Sequence, residues 1–237
     1  MSEVILRADD ISIAFGGLKA LDKAALFVEK GKIYSLIGPN GAGKTTLFNI
    51  ISGTLKADSG KVEFRGKDIT GAPSYGICRS GISRTFQLKN MFDELTVYQN
   101  VEAGMLKDSM AGSEREDRVW KLLKFLKIES LADTQAADIT PLESKLVELA
   151  RALATSPRLI LLDELIGGLL PSETDKICDI IEALREQGLT ILQVGHEIRP
   201  IMRTSDRIFV LDQGRNVADG PPDEIRNNED VVACYLE

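Results

Sequence analysis

Apolar positions along this chain recur with two periods, and the switches between them divide it. From Val4 to Phe15 and again from Ala20 to Val28 apolar and polar residues alternate around Gly16-Gly17, which predicts two antiparallel strands joined by a turn. Lys32 to Ile37 is a short apolar run that reads as a buried strand. It is followed by a glycine-rich stretch and then by Leu47, Ile50 and Ile51 at helical spacing, until Gly53 ends the turn. Gly60 to Arg65 reads as another strand, Gly66 to Gly71 as a loop, and Gly81 to Gln87 as a strand that ends in a polar amide.

Between Leu88 and Ile139 the pattern carries no strand. Val97, Val101 and Met105 lie four apart within a helix predicted over Thr96 to Leu106. Val119, Leu122, Leu123 and Leu126 share one face of a second, over Glu114 to Ile128. Thr96 with Gln99, and Ser113 with Glu116, have capping-box spacing, and Ser109 to Gly112 reads as a loop. An amphipathic helix over Lys145 to Thr155 is stopped by Pro157, and Leu159 to Leu162 is an apolar run closed by Asp163 and Glu164. Ser172 is positioned to cap a helix whose inner face is Ile177, Ile180, Ile181 and Leu184. A second buried strand, Leu189 to Val194, ends at Gly195-His196, and Asp212 to Arg215 joins two short strands as a hairpin. The tail from Pro222 carries short helical patterns.

The chemistry gathers where these strands end. Gly38-Pro39-Asn40-Gly41-Ala42-Gly43-Lys44-Thr45-Thr46 fits the phosphate-binding pattern G-x-x-x-x-G-K-[ST], between a strand and a helix as that motif requires. Glycines let backbone N–H groups turn inward onto phosphate oxygens, and the helix that opens there favours negative charge. Lys44 can reach the β and γ phosphates, and the Thr45 hydroxyl can ligate Mg²⁺. In an open parallel sheet ligands collect beyond the carboxyl ends of the strands, where Gly38, Gln87, Asp163, Glu164 and His196 all fall. Charge then suggests roles. Asp163 would hold Mg²⁺ directly or through water, and Glu164 would polarise a water for in-line attack. Gln87 would offer its amide oxygen to the metal or that water, and His196 would hydrogen-bond the γ phosphate. Phe15, at the rim of the first strand pair, could stack on a purine or be an ordinary core phenylalanine.

With 237 residues, 43% hydrophobic and 27% charged, the chain has ordinary globular proportions and room for one large domain. Its net charge of −7 argues against nucleic acid as the main partner. Cys78, Cys178 and Cys234 lie in no metal-ligand spacing and read as thiols of a reducing cytosol. The start lacks a basic leader, and no window of 18 residues is uninterruptedly apolar, so the expectation is a chain that neither is exported nor spans a membrane by itself.

Together these residues resemble the ATP-binding subunit of an ABC transporter over nearly the whole chain. The resemblance makes Gly38 to Thr45 the Walker A loop, Gln87 the Q-loop glutamine, Asp163 and Glu164 the Walker B pair, His196 the switch histidine and Phe15 the adenine-stacking aromatic. Phe-Gly-Gly near the start, Arg-Thr-Phe-Gln, and the ending from Asp223 to Leu236 resemble the ATPases of branched-chain amino acid importers, and lipopolysaccharide-export ATPases share much of this. It implies an α/β fold: a P-loop core with a mixed sheet (32–87 plus 156–237), an antiparallel β subdomain (1–31 plus 60–66) and an inserted helical subdomain (88–155). It also implies ATP and Mg²⁺ as ligands, a second ATP-binding subunit packed head to tail, separate permease subunits docking near Leu88 to Leu106, and a separate solute-binding protein. The location implied is peripheral, on the cytoplasmic face of a bacterial-type inner membrane.

The chain departs from the family where one subunit acts on its partner's ATP. Ile139-Thr140-Pro141-Leu142-Glu143-Ser144 stands in place of the glycine-containing signature, Leu170 replaces the acidic or amide residue before Pro171, and Leu165 replaces the usual proline after Glu164. Because the cis-acting residues are intact, a heterodimer with a regular cassette is favoured over a homodimer. A soluble ABC protein, such as one assisting iron–sulfur cluster assembly, and a slowly hydrolysing regulatory subunit are the alternatives.

Overall fold

The computed structural model describes residues 3–85, 91–105 and 111–236. Gln87, and the parts of the expected helix and loop at 106–110, lie outside the described residues. The alternating N-terminal stretch forms β1 (Val4–Phe15) and β2 (Leu18–Glu29), antiparallel, with Phe15 opposite Leu18 across Gly16-Gly17. β3 (Ile33–Ile37), α1 (Lys44–Ile51) and β4 (Ser59–Phe64) follow. The segment expected as a loop after β4 contains β5 (Lys67–Asp68), because Arg65 and Gly66 both take positive φ and turn the chain back as a tight hairpin. α2 (Ser74–Ser80) has no counterpart in the apolar pattern, since Ile77 is its one buried residue. β6 (Ile82–Arg84) covers the middle of the strand expected there.

In the helical stretch, α3 (Val97–Ala103) is closed by the reciprocal Thr96–Gln99 capping box. α4 (Gly112–Phe125) is not closed by Ser113 and Glu116. Its N-cap is Ala111, which has the extended backbone a cap needs, so Ser113 already lies inside the first turn. α5 (Pro141–Ala154) begins four residues before the expected Lys145, since Thr140 and Glu143 cap each other and Pro141 occupies the first helical position, where its missing N–H costs nothing. Then come β7 (Leu159–Asp163), α6 (Pro171–Glu186), β8 (Thr190–Val194), α7 (Ile198–Thr204), β9 (Arg207–Asp212), β10 (Arg215–Gly220), α8 (Pro222–Arg226) and α9 (Glu229–Leu236). Ser172 does not cap α6. Leu170 is the N-cap, and its N–H donates to the Glu173 carboxylate at 2.9 Å.

Two sheets result. One is antiparallel in the order β2-β1-β4-β5, and the other runs β10-β9-β3-β8-β7-β6, parallel except where β10 turns back beside β9. Every residue of β3, β7 and β8 is buried, which is why these strands read as apolar runs and not as alternation. Leu159 and Leu161 face the core shared with β1, β2 and α1, whereas Ile160 and Leu162 face the core built with α3 to α6. In the β7·β8 register Asp163 pairs with Val194, so Glu164 and Gly195-His196 leave the sheet side by side.

Candidate functional site

The loop between β3 and α1 is shaped by its glycines. Gly38, Gly41 and Gly43 have φ of 149°, 83° and 100°. A Cβ on Gly38 would strike the Leu211 carbonyl of β9, and one on Gly43 would lie 2.6 Å from the Ala20 carbonyl and 2.7 Å from Leu21. Only glycine allows both the dihedrals and the approach. Gly43 closes the N-terminus of α1 without any side-chain hydrogen bond, and the first turn carries no acidic residue. Asn40, Gly41 and Thr45 are exposed, Pro39, Gly43 and Thr46 half-buried, and Ala42 buried. Lys44 is buried, and its Nζ donates to the carbonyls of Gly38 (2.6 Å) and Pro39 (2.8 Å). Burial pulls the Lys44 pKa down, and the charge of Glu164 partly offsets this.

β7 delivers Asp163, 2% exposed, whose N–H donates to Thr85 Oγ1 at 3.2 Å. Its Oδ2 accepts from Arg84 Nη2 at 2.5 Å, whereas its Oδ1 is buried with no hydrogen-bond partner. A buried acceptor without a donor is costly unless something electropositive meets it. Glu164 follows with φ of 49°, its N–H bonded to the Val194 carbonyl at 3.0 Å and its own carbonyl accepting from Lys145 Nζ at 3.2 Å. Glu164 Oε1 lies 3.7 Å from Nδ1 of His196, which is exposed. Desolvation lowers the Lys145 pKa, with Glu148, Glu164 and Glu197 opposing. Phe15 is half exposed, which removes the reading of an ordinary core phenylalanine.

The structure therefore brings Lys44, Asp163, Glu164 and His196 to one edge of the parallel sheet. The signature stretch is occupied with itself. Thr140 N–H and Oγ1 both donate to Glu143 Oε2 (2.7 and 2.8 Å), Glu143 N–H donates back to Thr140 Oγ1 at 3.3 Å, and Ser144 Oγ lies 3.8 Å from Met91 Sδ. Pro141 is exposed and Leu142 half-buried. Leu165 is buried, and Leu170 is exposed. Sequence reasoning used Arg84 only as the first residue of Arg-Thr-Phe-Gln and gave it no role; its Nη1 also donates to Asn49 Oδ1 (2.7 Å) and Ser52 Oγ (2.8 Å).

The donors suit Mg²⁺, a hard cation bound through oxygen and completed by phosphates and water: the Thr45 hydroxyl is exposed beside the phosphate loop, and Asp163 Oδ1 lacks a donor. No group of three or more metal-ligating side chains exists among the described residues, so the protein would supply only part of the shell. No helix among the described residues is long and apolar enough to cross a membrane.

Loop, lysine, buried aspartate and adjoining glutamate have the arrangement of a P-loop nucleotide site. Residues 21–167 match the family model described as ABC transporter, and residues 215–236 that of the branched-chain amino acid ATP-binding cassette transporter. The high-affinity branched-chain amino acid transport ATP-binding protein LivG of Salmonella typhimurium is 37% identical over 252 residues, covering 100% of this chain and 99% of its own. A crystal structure of a nucleotide-free ATP-binding cassette superposes with a TM-score of 0.90 at 35% identity, over 99% of this chain and 100% of that one. A dimeric cassette in a post-hydrolysis state, bound to ADP and phosphate, gives 0.82 at 26% identity over 92% and 99%. This chain belongs to the ABC transporter family and is an ATP-binding cassette of it, an ATPase.

Proposed function

We propose that this cassette powers import of branched-chain amino acids, as the subunit that binds and hydrolyses ATP. The observation that carries the reading is the full-length likeness to LivG, extended by the match of the C-terminal residues 215–236. Gly38 to Thr46 cradle the phosphates, and Phe15 stacks on the adenine. Thr45 and Asp163, with Gln87, would hold Mg²⁺, which when bound would neutralise negative charge on the phosphates.

Lys44 gives up its two loop carbonyls for phosphate oxygens, exchanging neutral acceptors for charged ones. Glu164 takes the proton of the attacking water as the oxygen–phosphorus bond forms, and the bridging oxygen leaves with ADP. His196, 3.7 Å from the Glu164 carboxylate, holds that base and the γ phosphate in line. In this reading the cassette works from the cytoplasmic face of the inner membrane, with separate permease subunits and a solute-binding protein, and without nucleic acid.

Its partner is a different cassette that carries a regular signature. Support comes from the start of α5, where the Glu143 amide is already bound to Thr140 Oγ1 and the Glu143 carboxylate puts negative charge in the first turn, so a phosphate brought there would meet like charge. ATP turnover of the purified chain, alone and mixed with the neighbouring cassette, tests this. We expect the mixture to exceed the sum of the separate rates severalfold, and equal rates would remove the heterodimer.

A further inference from the structure

Arg84 is held from more than one side. Its side chain is 8% exposed, its two terminal nitrogens reach Asp163, Asn49 and Ser52, and its guanidinium carbon lies 5.8 Å from the ring centre of Phe48. Asn49 and Phe48 belong to α1 and Ser52 follows it directly, so the helix that opens at the phosphate loop fixes the cation from one side while Asp163 meets it from the other. The carboxylate it neutralises through Oδ2 keeps Oδ1 buried and without a partner.

The geometry points to Arg84 as a positioning residue that weakens divalent metal binding at Asp163 and so permits metal release. This rests on the reading of Asp163 as a metal ligand. Without metal, Arg84 compensates a carboxylate that would otherwise stand charged in a poorly solvated place. With metal at Oδ1, two cations share one carboxylate, and Arg84, pinned by α1, cannot withdraw. Their repulsion lowers the affinity for the metal, and its departure with spent nucleotide leaves no bare buried charge. Arg84 could instead help by orienting Asp163. That gain is small, because a carboxylate turned about its last torsion offers an equivalent oxygen, a factor of about two. Repulsion between close charges at protein dielectric exceeds a factor of about ten.

The two effects have opposite signs, which makes the test decisive. Mn²⁺ binding to the full chain saturated with a non-hydrolysable ATP analogue is followed by electron paramagnetic resonance, and thermal unfolding is followed in metal-free buffer. Arg84→Met is expected to bind Mn²⁺ about tenfold more tightly than wild type and to melt lower without metal, while Arg84→Lys, which keeps the charge, stays within about threefold of wild type. Damage to the fold alone does not tighten a metal site. Unchanged or weaker Mn²⁺ binding by Arg84→Met overturns the inference. If Arg84→Met is unfolded without metal, Arg84→Gln replaces it. Recovery of either fold on adding Mn²⁺ and the analogue supports the inference, and failure of both to recover overturns it. Asp163→Asn separates the two levels: if it binds Mn²⁺ like wild type, the metal-ligand reading itself fails, whatever Arg84 does.

Discussion

Gln193 sits in the middle of the parallel sheet, 3% exposed, on the strand that ends at His196. Its Nε2 donates to Ser35 Oγ on β3 at 2.9 Å and to Thr204 Oγ1, the last residue of α7, at 2.8 Å. Ser35 Oγ lies 2.5 Å from Ser205 Oγ, which donates to the Ile201 carbonyl at 2.6 Å. One amide thus pins the far end of α7 to the strands that lead into the Gly38–Thr45 loop and His196. Gln193→Leu removes both bonds at nearly constant volume. Each neutral hydrogen bond is worth about 1 kcal/mol, and the hydroxyls left behind keep other partners, so the loss is about 2 kcal/mol. For a chain of this size that lowers the melting temperature by roughly 4 to 8 °C. Loosening α7 also loosens His196, which precedes it by two residues, whereas the phosphate loop keeps its own contacts. The expected kinetic signature is a several-fold fall in kcat with the KM for MgATP held. Calorimetric unfolding and steady-state turnover measure both. A variant with wild-type melting temperature and turnover would refute the clamp. A Ser35→Ala, Gln193→Leu cycle that is additive would show that the two side chains do not act together.

Glu164→Gln keeps the shape of the base but cannot take a proton, so turnover should fall about 10²- to 10⁴-fold while MgATP binding persists. A rate within tenfold of wild type would remove Glu164 from the chemistry. Cys178 is fully buried on α6, and burial pushes its thiol pKa up to about 11, so it holds its proton through the neutral and mildly alkaline range. Iodoacetamide at pH 8 should therefore modify Cys78 and Cys234, both half-buried, and spare Cys178 until the protein is unfolded. Mass spectrometry of the native protein would contradict this if all three thiols reacted together.

Different parts of the site were legible to different degrees, for physical reasons. Gly38, Gly43 and Lys44 could be read directly because a backbone that must curl around phosphate admits few residue types, and those types are adjacent in sequence. Asp163 and Glu164 could be read because a fully buried strand shows as an apolar run, and acids closing such a run have one exit. The start of α5 shows how a family pattern can mask local chemistry. Thr140 and Glu143 have capping-box spacing, yet aligned with a signature they read as a damaged binding motif. In the structure they hydrogen-bond each other.

By itself the sequence determined the periodic elements, the phosphate loop and the acids and histidine at the strand ends, since each depends on neighbours within a turn or a strand. Only the tertiary structure decided how charge is balanced around them. Arg84 meets Asn49, Ser52 and Asp163 from positions 35, 32 and 79 residues away, and Gln193 meets Ser35 from 158 away. No local period records such meetings, because they exist only once β3, β6, β7 and β8 lie side by side and exclude the water that would otherwise satisfy each group separately.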